Sequence, residues 1–316
     1  MSATGVGDAA RDDAVAAVRA LLGPDVEPVL AGAVALPTSS VRGDLAPLRA
    51  LATWERVAAL LAGPAAERAL AVKDARPDGA PPPADVEALR ALAGDGRTVV
   101  LRRLERFDPD AARVAAAFAR TFGAAPDVHL YRTPAGASGF GWHYDLEDVF
   151  LLQLEGSKEY LLRKNTVDPF PSGDRPPADM RYERERSPTF ACRLTEGDWL
   201  YLPAGYWHRG TAEGAPSATV AIGLRLRTFL DVFRRLAASV EASLLWRQRA
   251  PLFGEAAGPA SAVLPTLRQA LAELGADLER RLAEPGFAEA LVADARGELR
   301  TRDGRPEDGD RTQAVK

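Results

Sequence analysis

Gly141-Trp142-His143-Tyr144-Asp145 is answered far downstream by Leu202-Pro203-Ala204-Gly205-Tyr206-Trp207-His208. The chain holds three histidines, and two of them stand in these segments. On an extended strand, residues two apart project from one face. His143 and Asp145 are therefore expected to offer an imidazole nitrogen and a carboxylate oxygen to a common point. His208 follows a short apolar run, Trp199-Leu200-Tyr201-Leu202, and a Pro-Ala-Gly turn. A neighbouring strand of a small barrel would carry it to the same place.

A His-x-Asp with a distant histidine is the ligand pattern of a mononuclear non-haem iron site. It leaves coordination positions open for a bidentate 2-oxoacid and dioxygen. Sets of oxygen ligands suit magnesium or calcium, and cysteine-rich sets suit zinc. A solitary His-x-Asp is commonplace on surfaces and in cores; the pairing with the second segment carries the metal reading.

Outward from these segments runs a rhythm of short strands. Thr98–Leu101, Val128–Tyr131, Val149–Leu154, Glu159–Leu162, Thr189–Leu194, Trp199–Leu202 and Thr219–Leu226 are rich in β-branched and aromatic residues. Pro134-Ala135-Gly136, Glu155-Gly156-Ser157 and Glu196-Gly197-Asp198 supply turn chemistry between them. Strands at this spacing predict a β-sandwich or barrel, and the flanking helical patterns make the class α+β.

Before the strands, residues 11–22 read as an amphipathic helix stopped by Gly23-Pro24. Thr53 caps a second helix that ends at Gly63-Pro64, and 74–84 reads as a loop around three consecutive prolines. Asp108, Pro109 and Gly123 bracket a further helix. The stretch 168–187 is either an ordinary exposed connection or a lid over the site.

After Thr228, Phe229-Leu230, Phe233, Leu236, Val240 and Leu244-Leu245 recur at helical spacing, as do Leu264, Leu267, Leu271, Leu274, Leu278 and Leu282. The expected organisation is a helical and mixed segment at 1–97 packing on the core, a catalytic core at 98–227, a helical region at 228–302 and a disordered polar tail at 303–316.

Composition narrows the classes. With 47% hydrophobic and 27% charged residues the chain can bury a proper core. A net charge of −4 gives no overall footprint for nucleic acid, so no direct nucleic-acid binding is expected. A single cysteine, Cys192, rules out an internal disulfide or a cysteine-based zinc site and reads as a buried strand filler. No apolar run is long enough to span a bilayer, and MSATGVGDAARDD lacks the regions of a secretory signal. The expectation is a cytoplasmic protein without membrane association.

Four stretches together resemble the JmjC-type ribosomal oxygenases. They are Tyr131-Arg-Thr-Pro-Ala-Gly136, Gly139-Phe-Gly-Trp-His143-Tyr-Asp145, Asp148-Val-Phe-Leu-Leu-Gln-Leu-Glu-Gly156 and Gly197-Asp-Trp-Leu-Tyr-Leu-Pro-Ala-Gly-Tyr-Trp-His208. The resemblance implies a cupin-type double-stranded β-helix (jelly-roll) core and an iron(II)- and 2-oxoglutarate-dependent hydroxylase using dioxygen. It makes His143, Asp145 and His208 the catalytic iron ligands. It places Lys158 where the family pairs a Lys or Arg with the far carboxylate of 2-oxoglutarate. A dianion held away from water needs such a partner, although a lysine after a turn is also an ordinary solvated residue. Tyr131 and Thr133 either line the cofactor pocket or simply pack in the barrel.

The chain departs from the family in places. His129 stands where many members have Asn, and either replaces that hydrogen bond near the cofactor or is a packed strand histidine. Ser217-Ala218-Thr219-Val220-Ala221 keeps only the Ser of a Ser-x-His-x-Thr pattern, which bears on the substrate pocket more than on the iron.

The helices after Thr228 resemble a dimerisation region, with packing back on the barrel as the alternative; the residues beyond them are read as too few for a winged helix. The expected substrate is a side chain of a protein or peptide. The alternatives are a peptide natural product or small molecule, and a non-catalytic cupin that only binds. A zinc hydrolase would leave Lys158 without a role.

Overall fold

The computed structural model describes residues 3–32, 36–40, 43–74, 76–171, 182–251 and 258–302, the side chains of 3–11 and 295–302 excepted. The polar tail at 303–316 and residues 172–181 of the 168–187 stretch lie outside them. The helices are α1 (Ala3–Leu22), α2 (Glu27–Leu30), α3 (Trp54–Leu61), α4 (Val86–Gly94), α5 (Pro109–Phe122), α6 (Phe229–Val240), α7 (Ala260–Ala283) and α8 (Pro285–Arg302). The strands are β1 (Thr38–Ser40), β2 (Ala69–Lys73), β3 (Arg76–Pro77), β4 (Thr98–Leu101), β5 (Pro126–Thr133), β6 (Asp148–Arg163), β7 (Thr189–Leu194), β8 (Trp199–Leu202) and β9 (Trp207–Leu224). The chain divides into a unit that runs to Leu226 and a second that begins at Arg227.

In the first unit the strands form one antiparallel sheet in the order β1-β8-β6-β9-β5-β4-β2-β3, with β7 joined to β6. Two long strands organise it. β6 pairs with β9 along nearly its whole length, while its first half also pairs with β8 and its second half with β7. Glu155-Gly156-Ser157, expected as a turn between two strands, is instead a bulge inside one strand of 16 residues. Gly156 has φ +69, and a Cβ there would meet the Pro216 carbonyl oxygen at 2.4 Å. Only glycine permits the bend that folds the sheet around its inner face.

The sheet's outer face packs on the helices. Val128 and Leu130 of β5, Phe150 and Leu152 of β6, and Val99 and Leu101 of β4 share one core with Phe118 of α5. Sequence signals explain α5 fully: Asp108 accepts from the backbone N–H groups of Asp110 and Ala111, Pro109 takes the first position, and Gly123 closes the helix with φ +70. Ala111, Ala115 and Phe118 fall on one side and are buried. Thr53 caps α3 by accepting from Arg56 N–H. Among the boundaries that differ from expectation, α1 begins at Ala3, the proline-rich stretch after Asp74 contains the two-residue β3, and the strand expected at Thr219–Leu226 is the end of β9, which starts at Trp207 and stops at Leu224.

The second unit is helical. Thr228 and Asp231 form a reciprocal capping box on α6. The helix stops at Val240, so Leu244-Leu245 do not continue its stripe. Asp277 accepts from Trp246 Nε1 at 2.9 Å and from Arg280 and Arg281. Phe229, Phe233, Leu271 and Leu282 are exposed.

Candidate metal centre

The inner face of the sheet carries the three expected ligands. His143 does not lie in a regular strand. It forms an isolated antiparallel bridge with His208: His143 N–H donates to the His208 carbonyl at 3.1 Å, and His208 N–H donates back at 2.8 Å. The two histidines are thus directly opposed, with ring centroids 4.2 Å apart. Asp145 follows in the loop, and its carbonyl accepts from Gly205 N–H at 2.8 Å. That bond ties the Pro203-Ala204-Gly205 turn to the aspartate. Asp148 holds the same turn from the other side, accepting from Ala204 N–H at 2.8 Å and from the Tyr201 hydroxyl at 2.6 Å. The expected same-face relation of His143 and Asp145 holds, but a bridge and a clamped turn deliver it rather than strand periodicity.

The backbone also sets the tautomers. His143 Nδ1 lies 3.0 Å from the Gly141 carbonyl, and His208 Nδ1 lies 3.1 Å from the Tyr206 carbonyl. A carbonyl oxygen only accepts, so each Nδ1 carries a proton, which leaves Nε2 as the nitrogen available to a metal. His208 Nε2 is 3.6 Å from Asp145 Oδ2, and one donor atom from each of the three residues lies within 4.8 Å of the others. Burial, with the neighbouring His143 second, pushes the His208 imidazole down to about 4, against the pull of Asp145. It is neutral at physiological pH, the form a metal needs. Two imidazole nitrogens and one carboxylate on one side suit iron with an open far side.

Lys158 reaches the same face from the far half of β6. It is buried, and its Nζ donates to Thr133 Oγ1 at 3.3 Å. The ammonium also faces the Tyr131 and Tyr160 rings at 5.8 and 5.6 Å from their centroids. Among the described residues no carboxylate pairs with it. Burial alone pulls its pKa down to about 8. Gly210 makes room for it: a Cβ there would lie 2.9 Å from Lys158 Cε and 2.7 Å from the Tyr160 ring.

Tyr131, His129 and Thr133 alternate along β5 and share this face, opposite Thr219, Ala221 and Ser217 of β9. Tyr131 is held neutral, chiefly by burial and then by Asp145, which raise its pKa beyond the usual phenol range. His129 is buried and stacks parallel to Tyr131 at 6.5 Å. Phe140 bridges Tyr131 and His143 at 6.2 and 6.0 Å. An aromatic clasp closes the outside. Trp142 stacks on Tyr182 at 4.3 Å, and Tyr144 and Tyr182 both pack edgewise on Trp207.

Several residues escaped the sequence reading. Gly210 and Phe140 have no local signal, because their roles arise across strands. Glu147 sits against Gly223, where a Cβ would clash with its carboxylate. Burial, then Asp127 and Asp145, raise it to about 7.

Residues 101–232 match the JmjC domain family. The chain is 33% identical over 141 residues to the bifunctional lysine-specific demethylase and histidyl-hydroxylase NO66 of Dictyostelium discoideum, covering 43% of this chain and 26% of that protein. It is 37% identical over 123 residues to ribosomal oxygenase 2 of Bos taurus, covering 39% and 26% respectively. The aligned part is thus 26% of the length of each of these curated relatives.

Among solved structures, Escherichia coli ycfD aligns with a TM-score of 0.53 at 19% identity, over 79% of this chain and 65% of that one. The same protein, described as a ribosomal oxygenase in complex with cobalt and succinic acid, aligns at 0.50 and 20% identity over 79% and 64%. At that identity the likeness is one of fold, and it confirms the jelly-roll core. Residues 101–232 thus match a JmjC domain, and over that stretch the chain is similar to the ribosomal oxygenases.

Proposed function

We propose that this protein is an iron(II)- and 2-oxoglutarate-dependent oxygenase that hydroxylates a side chain of a protein or peptide. One observation carries the reading: a buried ammonium with no carboxylate partner among the described residues shares a sheet face with a His-Asp-His donor set. A buried cation left in that state is costly, and a ligand dianion supplies the missing charge. His143, Asp145 and His208 hold the metal, Lys158 and Thr133 bind the far carboxylate, and Tyr131 and His129 line the space between. When bound, iron(II) supplies oxidation of a substrate C–H bond by dioxygen, coupled to decarboxylation of 2-oxoglutarate to succinate. The protein orients the reactants and excludes water. His208 enters with Nε2 unprotonated, so binding the metal displaces no proton from it at neutral pH.

Incubation of the iron-loaded protein with 2-oxoglutarate under air is expected to release succinate. No binding of either iron or 2-oxoglutarate would overturn the proposal. A second substrate class, a peptide natural product or small molecule, is favoured by one feature. Thr219, in the altered Ser217–Ala221 segment, donates its hydroxyl to Gln153 Oε1 at 3.0 Å. Mass spectrometry separates the classes: one added oxygen on a ribosomal protein, absent from a deletion strain, supports the first and excludes the second.

The exposed Phe229, Phe233, Leu271 and Leu282 support a homodimer formed through the C-terminal helices. Arg234 and Arg235 bond to Asp231 and Asp294 within that region, which supports helix charges rather than a substrate surface. No helix among the described residues is long and apolar enough to cross a membrane. A cytoplasmic enzyme acting on a polypeptide, without direct nucleic-acid binding, is the setting we assign.

A further inference from the structure

Two hydroxyls on the site's face are buried and have no hydrogen-bond partner among the described residues: Thr98 Oγ1 and Ser217 Oγ. Thr98 is 1% exposed and Ser217 0%. A buried polar group of this kind calls for a water, an ion or a ligand. The strand register locates both. Ser217 stands opposite Thr133 on β9. On the other flank of β5, Val99 stands opposite Arg132 and Val100 opposite Tyr131. The same ladder carried one residue further sets Thr98 beside Thr133. Residues opposite one another in an antiparallel ladder share a face, so Thr98 belongs to the face of Tyr131 and Thr133.

Thr133 is the hydroxyl that the Lys158 ammonium reaches. Lys158 therefore ends in a row of three hydroxyls drawn from three adjacent strands, with the outer two unmatched. Gly139, in the loop leading to His143, is the neighbour over Thr98; a Cβ there would lie 3.6 Å from Oγ1.

We propose that Thr98 is a binding residue for the far carboxylate of the 2-oxoacid co-substrate, acting beside Lys158 and Thr133. The inference rests on the oxygenase reading above. Thr98 precedes residue 101, where the match to the JmjC family begins. An ionised carboxylate is acceptor-only and has about four lone-pair sites. One ammonium and one hydroxyl leave part of that capacity unmet in a dry pocket, and the Thr98 hydroxyl supplies a further donor. Its effect is selective: it acts on a dicarboxylate and leaves untouched a 2-oxoacid that lacks the second carboxylate.

The test is an equilibrium titration of the full-length protein loaded with manganese(II), using 2-oxoglutarate and 2-oxobutyrate. The latter keeps the chelating end and lacks the far carboxylate. Thr98→Val, which keeps the branched shape, is expected to weaken 2-oxoglutarate binding by about tenfold and to leave 2-oxobutyrate unchanged. Thr98→Ser is expected to restore the affinity, and Thr98→Ala serves where the valine variant does not fold. Equal loss for both ligands, or loss for neither, overturns the assignment of Thr98. Wild-type protein that binds manganese(II) but no 2-oxoglutarate overturns the oxygenase reading and this inference with it. Wild-type binding that Thr98→Val leaves intact overturns this inference alone.

Discussion

The two faces of the central sheet are built from the same strands and do opposite work. Along β5, Val128 and Leu130 point into the core under the helices, while His129, Tyr131 and Thr133 point to the metal side. Along β6, Phe150 and Leu152 join the outer core, and Lys158 opens onto the inner face. The outer face is chiefly apolar, and the buried Arg132 on it is ion-paired with Glu155 at 2.6 Å. The inner face keeps a buried ammonium, a buried neutral imidazole and unmatched hydroxyls. Each of these costs stability in the ligand-free protein and is put to use when a ligand arrives. Stability and function are thus separated by a half-turn of each strand.

That contrast can be broken most severely at the metal. Asp145→Ala removes the anionic ligand and is expected to abolish succinate formation, while the outer core keeps the fold. Coupled-turnover assay and circular dichroism check both halves, and a variant that turns over normally would refute the ligand assignment. The reciprocal change on the outer face is Leu130→Ala. It is expected to cost about 2–5 kcal/mol in urea unfolding while leaving metal affinity intact in the folded fraction.

Lys158→Met sharpens the comparison, because the inner face should gain what binding loses. Affinity for 2-oxoglutarate is expected to fall at least about tenfold. Ligand-free stability is expected to rise by ~1–3 kcal/mol at neutral pH. The pH dependence follows from the shift. Lys158 is lowered from 10.5 to about 8, so the wild type loses stability as pH falls from the first value through the second. The advantage of the methionine variant should therefore shrink as pH rises toward 10.5. A constant advantage at all pH values would show that packing rather than charge is responsible.

The smallest effect belongs to His208, lowered from 6.5 to about 4. Below the upper value the unfolded chain takes up a proton that the folded protein refuses. Stability should decline across that window, and His208→Gln should flatten the decline in urea titrations at pH 7 and pH 5 without metal.

The legibility of the chain follows the same division. The α5 caps, the strand rhythm and the His143-x-Asp145 and His208 pattern are local, and local chemistry writes them into short stretches. Asp108, Pro109 and Gly123 bracket a helix because each position needs a particular donor, dihedral or missing Cβ. Glu155-Gly156-Ser157 was misread as a turn for a corresponding reason. A bulge and a turn use the same glycine, and only the continuing pairing with β9 distinguishes them. Gly210, Phe140 and Thr98 were silent because their neighbours lie on other strands.

Taken alone, residue type and spacing indicated an α+β class built on a sandwich or barrel and the candidate donors His143, Asp145 and His208, because local chemistry restricts those features before any packing occurs. Lys158 as the answering cation came from the family resemblance. Only the tertiary structure decided that His143 faces His208 across a bridge, that both imidazoles present Nε2, that Lys158 meets no carboxylate among the described residues, and that Thr98 stands beside Thr133. The physical reason is that these are relations between strands. Register, bulge and burial set them, and each depends on residues far apart in the chain.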